Sequence, residues 1–478
     1  MKKIAICLLL IGTLPRLAHA QGKASPPDKP NILFIYVDDW GWTDLSSAGS
    51  KYYETPHIDK LLRESVQFTQ AYSVGPNCAP SRASLMTGKY PPRHGIYTVG
   101  NAERGDSTKR KLIPVKNNTV LNPSFVTIAE ELKNTGYATG LIGKWQLGET
   151  AEGTGPQAQG FDFCIGGSEG TPSYFYPYKK AKAAKTPHQG LESGKEGEYL
   201  TDRLTDEAVK YIGSQKENPF FLYLSYFAVH TPTEAKASII DKYKAKKGDQ
   251  FHNNPTYAAM IESVDQGIGR VLKTLDSLKL TNNTLIVFYS DNGGMGAVTS
   301  QYPLRGSKGM LYEGGIRVPL LVKWAGNVRP GRQTDTPVIG IDFYPTLLDI
   351  ARVQKPLNKD VDGQSFLPVL LDEKPAVRDA LFWHFPAYLE ATKGDSRVSD
   401  SFRTRPVSTI RSGDFKLHEF YEDGRQELYN LKEDIGESTN LATKNPAKVK
   451  ELHDKLDAWK KKTKAPIPTQ PNPAYRPL

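Results

Sequence analysis

The residues best placed to do chemistry in this chain begin with Cys78-Ala79-Pro80-Ser81-Arg82, which runs on to Thr87-Gly88. Pro80 is tolerated in the first turn of a helix, the residues after it are helix formers, and Gly88 is a natural stop, so Cys78 is expected at a helix mouth. Free backbone N–H groups and the positive end of the dipole gather there, and Arg82 adds a fixed cation one turn on. From residue types alone this is a cysteine with a lowered thiol pKa, suited to act as a nucleophile. The plainer alternative is a buried structural cysteine.

The other reactive residues share one kind of placement. The apolar run Asn31 to Val37 ends in Asp38-Asp39, and Leu285 to Ser290 ends in Asp291-Asn292-Gly293-Gly294. Tyr137 to Ile142 leads into Gly143-Lys144-Trp145-Gln146-Leu147-Gly148, and Phe220 to Tyr226 precedes Ala228-Val229-His230. Apolar runs without alternation predict strands covered on both faces, hence a parallel α/β sheet, whose ligands bind beyond the carboxyl ends of the strands. Adjacent acids at such an edge repel unless a cation joins them, so Asp38, Asp39, Asp291 and Asn292 are candidate oxygen ligands for a metal ion. A solvated Asp-Asp turn is the alternative for the first pair. A lone histidine is more often structural; it is the repeated placement at strand ends that singles out His230.

Taken together with Leu304-Arg305-Gly306-Ser307-Lys308-Gly309 and Glu313-Gly314-Gly315-Ile316-Arg317-Val318-Pro319, these motifs resemble, in order and over essentially the whole mature chain, the type I sulfatases of the alkaline-phosphatase-like superfamily. The resemblance implies a large mixed, mostly parallel sheet flanked by helices, with a smaller C-terminal subdomain of antiparallel sheet plus helix. It implies that Cys78 is oxidised to formylglycine (3-oxoalanine), whose hydrated aldehyde is the nucleophile, and that calcium is held by Asp38, Asp39, residue 78, Asp291 and Asn292. Arg82, Lys144, His230 and Lys308 match the residues that hold the nucleophile, bind the sulfate oxygens and serve the leaving group, with His230 as proton donor beside Lys308. Lys144, Gln146, His230 and Lys308 are the implied substrate contacts, while Glu313 and Arg317 read as structural.

One position departs from the pattern. The family has Gly-Lys-Trp-His-Leu-Gly where this chain has Gln146, and the histidine there contacts the diol and is a candidate base for expelling sulfate. A glutamine can donate or accept a hydrogen bond but cannot take that proton at neutral pH. Three readings follow: water or a neutral Lys144 does the job, turnover is slow, or the chain binds sulfate esters without turning them over. The intact remainder of the motif set favours an active enzyme.

The elements that must position these groups are legible from periodicity. Thr55 to Leu62 and Ser124 to Leu132 read as short helices, Thr201 to Gln215 and Tyr257 to Leu280 as longer ones, and Asn101 to Lys116 as an exposed loop. Tyr174, Phe175, Tyr176 and Tyr178 could stack on sugar rings or pack internally; Lys179 to Lys185 reads as a solvated run. His57 reads as structural and Cys164 as a small buried hydrophobe, while His94 could line the pocket or hold a turn. From about Pro375, short turn-separated strands predict an antiparallel sheet, closed by a helix from Pro446 to Lys462.

Length and composition set the outer bounds. Lys2 and Lys3, an apolar run to Leu14 and Ala18-His19-Ala20 read as a cleaved secretory signal peptide (residues 1–20), giving a periplasmic or secreted protein. A catalytic domain is expected over 21–374 and the C-terminal subdomain over 375–478. The apolar run is too short to span a bilayer and no other follows, so no stable membrane insertion is expected. The formal charge of +10 includes Lys2, Lys3 and Arg16, which leaves +7 after cleavage. That basic balance suits an anionic substrate but equally an ordinary lysine-rich surface, and the absence of nucleic-acid motifs argues against nucleic acid. The leading function is removal of sulfate from a sulfated carbohydrate by a calcium- and formylglycine-dependent sulfatase, matured by a formylglycine-generating or anaerobic sulfatase-maturating enzyme. The alternatives are a phosphonate or phosphodiester hydrolase of the same superfamily and a catalytically impaired sulfated-glycan binding protein.

Overall fold

In the computed structural model, which describes residues 29–167, 170–179, 188–358, 360–373, 378–391 and 401–477, the apolar run Asn31–Val37 forms strand β1, buried along its whole length. Ile32, Phe34 and Tyr36 enter one core cluster, and Leu33, Ile35 and Val37 another. A strand apolar on both rows belongs inside a sheet with a layer on each face. The expected signal peptide, much of the lysine run and the boundary expected near Pro375 lie outside the described residues.

The layers follow in chain order. Helix α1 (Pro56–Arg63), strand β2 (Val66–Phe68), helix α2 (Cys78–Thr87) and helix α3 (Ile128–Asn134) come first. Then come β3 (Ala138–Gly143), β4 (Phe163–Gly166), α4 (Leu200–Ser214), β5 (Phe220–Ser225), α5 (Pro255–Ser277) and β6 (Thr284–Ser290). β7 (Leu320–Trp324), β8 (Arg332–Thr334) and α6 (Phe343–Ile350) complete the unit. The eight strands lie in the order β4-β3-β5-β1-β6-β7-β2-β8. β7 is antiparallel to both its neighbours and every other pairing is parallel, giving the expected mixed, mostly parallel sheet. α2, α3 and α6 cover one face; α1, α4 and α5 cover the other.

Helix α3 starts later than its apolar periodicity suggests. Glu130 N–H donates to Thr127 Oγ1 at 3.2 Å while Thr127 N–H donates to the Glu130 carboxylate at 2.8 Å, so a capping box fixes the start at Ile128 and leaves Ser124 outside. The stretch 101–116 is not simply exposed either. Ala102 and Arg110 are buried, Ile113 N–H donates to Gln470 O at 2.9 Å, and Tyr388 N–H donates to Ala102 O at 3.1 Å. Its backbone is satisfied by chain from the far end of the sequence, which no local pattern announces.

Strands β9 (Leu381–Phe385), β10 (Val407–Ser412), β11 (Phe415–Phe420) and β12 (Gln426–Asn430) form a separate antiparallel sheet in chain order. Helix α7 (Pro446–Thr463) packs on it through Leu452, Leu456 and Trp459. This sheet is joined to the large one by a buried charge cluster: Lys416 Nζ lies 2.9 Å from Glu313 and 3.0 Å from Glu437, and Arg317 lies 3.2 Å from Glu313. Glu313 and Arg317 therefore hold structure, as read from the sequence.

Candidate active site

Strand order brings the reactive residues together. β3, β5, β1 and β6 are consecutive in the sheet, and Val37 pairs with Ser290, Tyr36 with Ser225 and Gly143 with Ser225, so the four strands end level. Lys144, His230, Asp38, Asp39, Asp291 and Asn292 all follow those ends. Helix α2, buried throughout, brings Cys78 down beside them. Its Sγ is 3.3 Å from Asp38 Oδ1 and 4.0 Å from Asp39 Oδ1. Ligand atoms of Asp38, Asp39, Cys78 and His230 all lie within 4.8 Å of one another.

The carboxylates are interlocked with cations and amides. Arg82 donates to Asp291 Oδ2 through Nη2 at 2.7 Å and Nε at 3.2 Å, and to Ser225 Oγ at 2.6 Å, with its guanidinium 5.0 Å above the Tyr36 ring. Asp39 N–H donates to Asp291 Oδ1 at 3.1 Å, and Asn292 Nδ2 donates to Asp39 Oδ1 at 2.8 Å. Lys144 pairs with Asp38, and Lys308 lies 2.6 Å from Asp39 Oδ1. His230 Nε2 is 3.8 Å from Asp39 Oδ2 while its Nδ1 faces Thr231 O. Asp39 and Gln146 both have φ near +60°, at 61° and 63°. Such left-handed backbone costs energy in residues with a side chain and persists only where its surroundings impose it.

Electrostatics follow from that packing. Burial works against the charged form of Asp38, but Lys144, His230, Arg82 and Lys308 hold its carboxyl well below the usual range. Burial, reinforced by Asp38, pushes Asp291 up to about 6 against the pull of Arg82. Burial also opposes the charge on Lys308, yet Asp39, Cys78 and Asp38 keep its ammonium well above the ordinary lysine value. Burial and Lys308 push His230 down to about 4, so the free site holds it neutral at pH 7. The thiol departs from expectation. Burial, with Asp291 and Asp38, pushes Cys78 well above its ordinary value despite Lys144 and Lys308. The helix mouth is real, but burial together with the neighbouring carboxylates outweighs it and the cysteine is not an activated thiolate.

Asp38, Asp39 and Asp291 offer carboxylate oxygens, and Asn292 Oδ1 is buried with no partner among the described residues. An orphaned amide oxygen beside three carboxylates is what a hard divalent cation would satisfy, so the residues fit calcium. The remaining candidates resolve otherwise. His94 Nε2 lies 3.0 Å from Ser84 Oγ and its Nδ1 accepts from Ile96 N–H at 3.2 Å, so it holds a turn. Cys164 is buried and free. Tyr174 is in the core: it stacks near Tyr199, and its hydroxyl donates to Phe227 O at 2.9 Å and His230 O at 2.8 Å, which fixes the His230 loop. Of the two readings the sequence left open for Tyr174, internal packing is the one seen, while Ser225 was not found from sequence and carried only the weak signal of ending a strand.

Comparison with known proteins agrees with this geometry. The family model described as Sulfatase matches residues 30–353, and that described as N-sulphoglucosamine sulphohydrolase, C-terminal, matches residues 306–462. A protein named Sulfatase from Formosa agariphila is 37% identical, covering 97% of this chain and 94% of its own length. The N-acetylgalactosamine-6-O-sulfatase of Bacteroides thetaiotaomicron is 29% identical, with 95% and 97% covered. Among solved structures, that of Ps i-CgsB in complex with k-i-k-neocarrahexaose has a TM-score of 0.75 at 31% identity, covering 90% of this chain and 92% of that one.

Proposed function

The chain belongs to the sulfatase family of the alkaline-phosphatase-like superfamily and is an enzyme of sulfate ester hydrolysis, and from that premise we propose that it removes sulfate from a sulfated carbohydrate. Residue 78 acts as formylglycine, and calcium is held by Asp38, Asp39, Asp291, Asn292 and residue 78. The observation that carries this reading is the meeting of Cys78, three carboxylates and the buried cations Arg82, Lys144 and Lys308 at four adjacent strand ends. Relatives named for a sulfated amino sugar, or crystallised with k-i-k-neocarrahexaose, support a carbohydrate. Among the described residues no helix is long and apolar enough to cross a membrane. The sequence of residues 1–20 supports export, to the periplasm or beyond.

When bound, calcium would neutralise charge on the sulfate group, and formylglycine would supply an oxygen nucleophile with a second hydroxyl on the same carbon. The chain's own residues do the rest. Asp291 and Ser225 fix the Arg82 guanidinium against Tyr36, so this buried cation is held without side-chain freedom to lose. Lys144 and Lys308 are fixed cations at buried positions, where their attraction for sulfate oxygens is stronger than in water. His230 and Lys308 both meet Asp39, at 3.8 and 2.6 Å, so the pair is placed to serve the departing ester oxygen, with His230 as the proton donor.

The test is sulfate release across defined sulfated oligosaccharides, using protein co-expressed with a formylglycine-generating or anaerobic sulfatase-maturating enzyme, with Cys78→Ala as control. Release by the matured protein and none by the variant is expected. Faster cleavage of a matched phosphodiester than of the aryl sulfate would favour the phosphonate or phosphodiester reading. Tight binding of sulfated glycan with no release would favour a binding protein disabled at Gln146.

A further inference from the structure

A second feature lies beside the reactive residues rather than among them. The segment joining Asn292 to Lys308, with residues brought from the C-terminal antiparallel sheet, walls a cleft of about 950 Å³. Arg305, Arg403, Arg405 and Arg425 line it, and among the described residues no aspartate or glutamate does. The carboxylates that brace two of these arginines stand behind the wall. Glu422, whose side chain is 5% exposed, lies 2.6 Å from Arg405, which is 25% exposed; buried Glu427 pairs with Arg425, which is 46% exposed. Arg405 thus has its anchor behind it, while Arg425 also meets the half-exposed Asp423, 3.6 Å from its Nε. Arg305 and Arg425 are further fixed by stacking 4.0 Å over Tyr312 and 3.9 Å over Phe420.

The outer lip carries the second component. Tyr302 is 62% exposed, and it lies flat on Phe251, centroids 4.4 Å apart and planes 3° from parallel. An aromatic ring held rigid by a partner and left open to water is a surface on which a flat, weakly polar ring face can rest. Arg403 ties this wall to the backbone that carries Lys308, its Nη1 donating to Lys308 O at 3.2 Å.

We propose that this cleft is a binding site for further units of a sulfated sugar chain, with Tyr302 and Phe251 as a platform for a sugar ring and the arginine wall taking sulfate groups other than the one removed. The inference rests on the sulfatase reading and extends it: the substrate is an oligosaccharide bearing more than one anionic group, not a sulfated monosaccharide. Guanidinium forks match the oxygens of a sulfate as they do those of a phosphate, and these cations make binding fall with added salt.

The experiment compares the full matured protein with Tyr302→Ala and Arg425→Ala. Binding is measured by calorimetry with k-i-k-neocarrahexaose and with dextran sulfate of hexasaccharide length, each beside its desulfated counterpart; turnover is measured on a small aryl sulfate. Each substitution is expected to weaken binding of a sulfated hexasaccharide by about tenfold while aryl sulfate turnover stays unchanged. Desulfated sugars should bind far more weakly. Binding of neither sulfated probe, binding untouched by both substitutions, or equal affinity for a single-stranded oligonucleotide of the same charge would each overturn the inference. Loss of aryl sulfate turnover together with binding would also overturn it, since the residues would then act on the reactive site itself. If the wild type binds the hexasaccharide in the predicted way but releases no sulfate from any ester, the catalytic reading fails and the cleft assignment stands.

Discussion

Gln146 sits in left-handed backbone two residues beyond Lys144, 5% exposed, with an Oε1 that has no partner among the described residues. A buried amide oxygen left unpaired is costly, so the position is maintained against a penalty. Replacing it with the family's histidine, Gln146→His, is expected not to slow sulfate release; a large fall in turnover would instead show that the amide has a role of its own. Asn292 makes a parallel case. If its orphaned Oδ1 faces the cation, Asn292→Ala should weaken calcium binding by about tenfold or more by calorimetry and shrink the rise in melting temperature that calcium gives the parent. An unchanged calcium isotherm would remove Asn292 from the ligand set. The thiol teaches the limit of local reasoning: a cysteine at a helix mouth beside an arginine predicts a thiolate, but burial, reinforced by carboxylates from strands far away in sequence, reverses the sign.

At the level of elements, the site depends on strands ending level, and one glycine guards that alignment. Gly143 has φ +111°, and a Cβ there would stand 1.8 Å from Ser225 O. Gly143→Ala must therefore push β3 off β5 just where Lys144 is presented and Ser225 grips Arg82. The expected result is a loss of about 2–3 kcal/mol in stability together with severe loss of sulfate release, read by thermal or denaturant melts beside the activity assay. A variant with parent stability would mean that the strand end shifts freely. The strands themselves were legible because their apolar runs reflect burial on both faces. The start of α3 was less so, because a capping box decided what periodicity left open, and the reversed direction of β7 left no mark in its composition.

Across the whole molecule, the buried cluster between the two sheets is expected to control cohesion. Lys416→Ala leaves Glu313 and Glu437 facing each other out of water, and should cost about 3–5 kcal/mol in a denaturant melt; a negligible change would show that water enters and solvates them. Buried histidines set the acid limit. Burial pushes His94 down to about 3, and His384 and His418 to about 4, all below the ordinary histidine value of about 6.5. Because the unfolded chain binds those protons and the folded one does not, stability is complete above about pH 6.5 and is lost as pH falls from there towards 4. Melting temperature should thus drop between pH 7 and pH 5, and His384→Gln should flatten that slope; a flat profile in the parent would show that these rings protonate while folded.

The amino-acid sequence by itself determined the reactive residue types, their placement after apolar runs and the class of sheet, since each of these follows from local periodicity and motif spacing. Only the tertiary structure decided that β3, β5, β1 and β6 are neighbours, because strand order is set by long-range packing that leaves no trace in any one segment. The same holds for the sign of the Cys78 shift and for the arginine-lined cleft, whose walls come from segments about a hundred residues apart. Proximity in space, and the desolvation it brings, is a property of the folded chain alone.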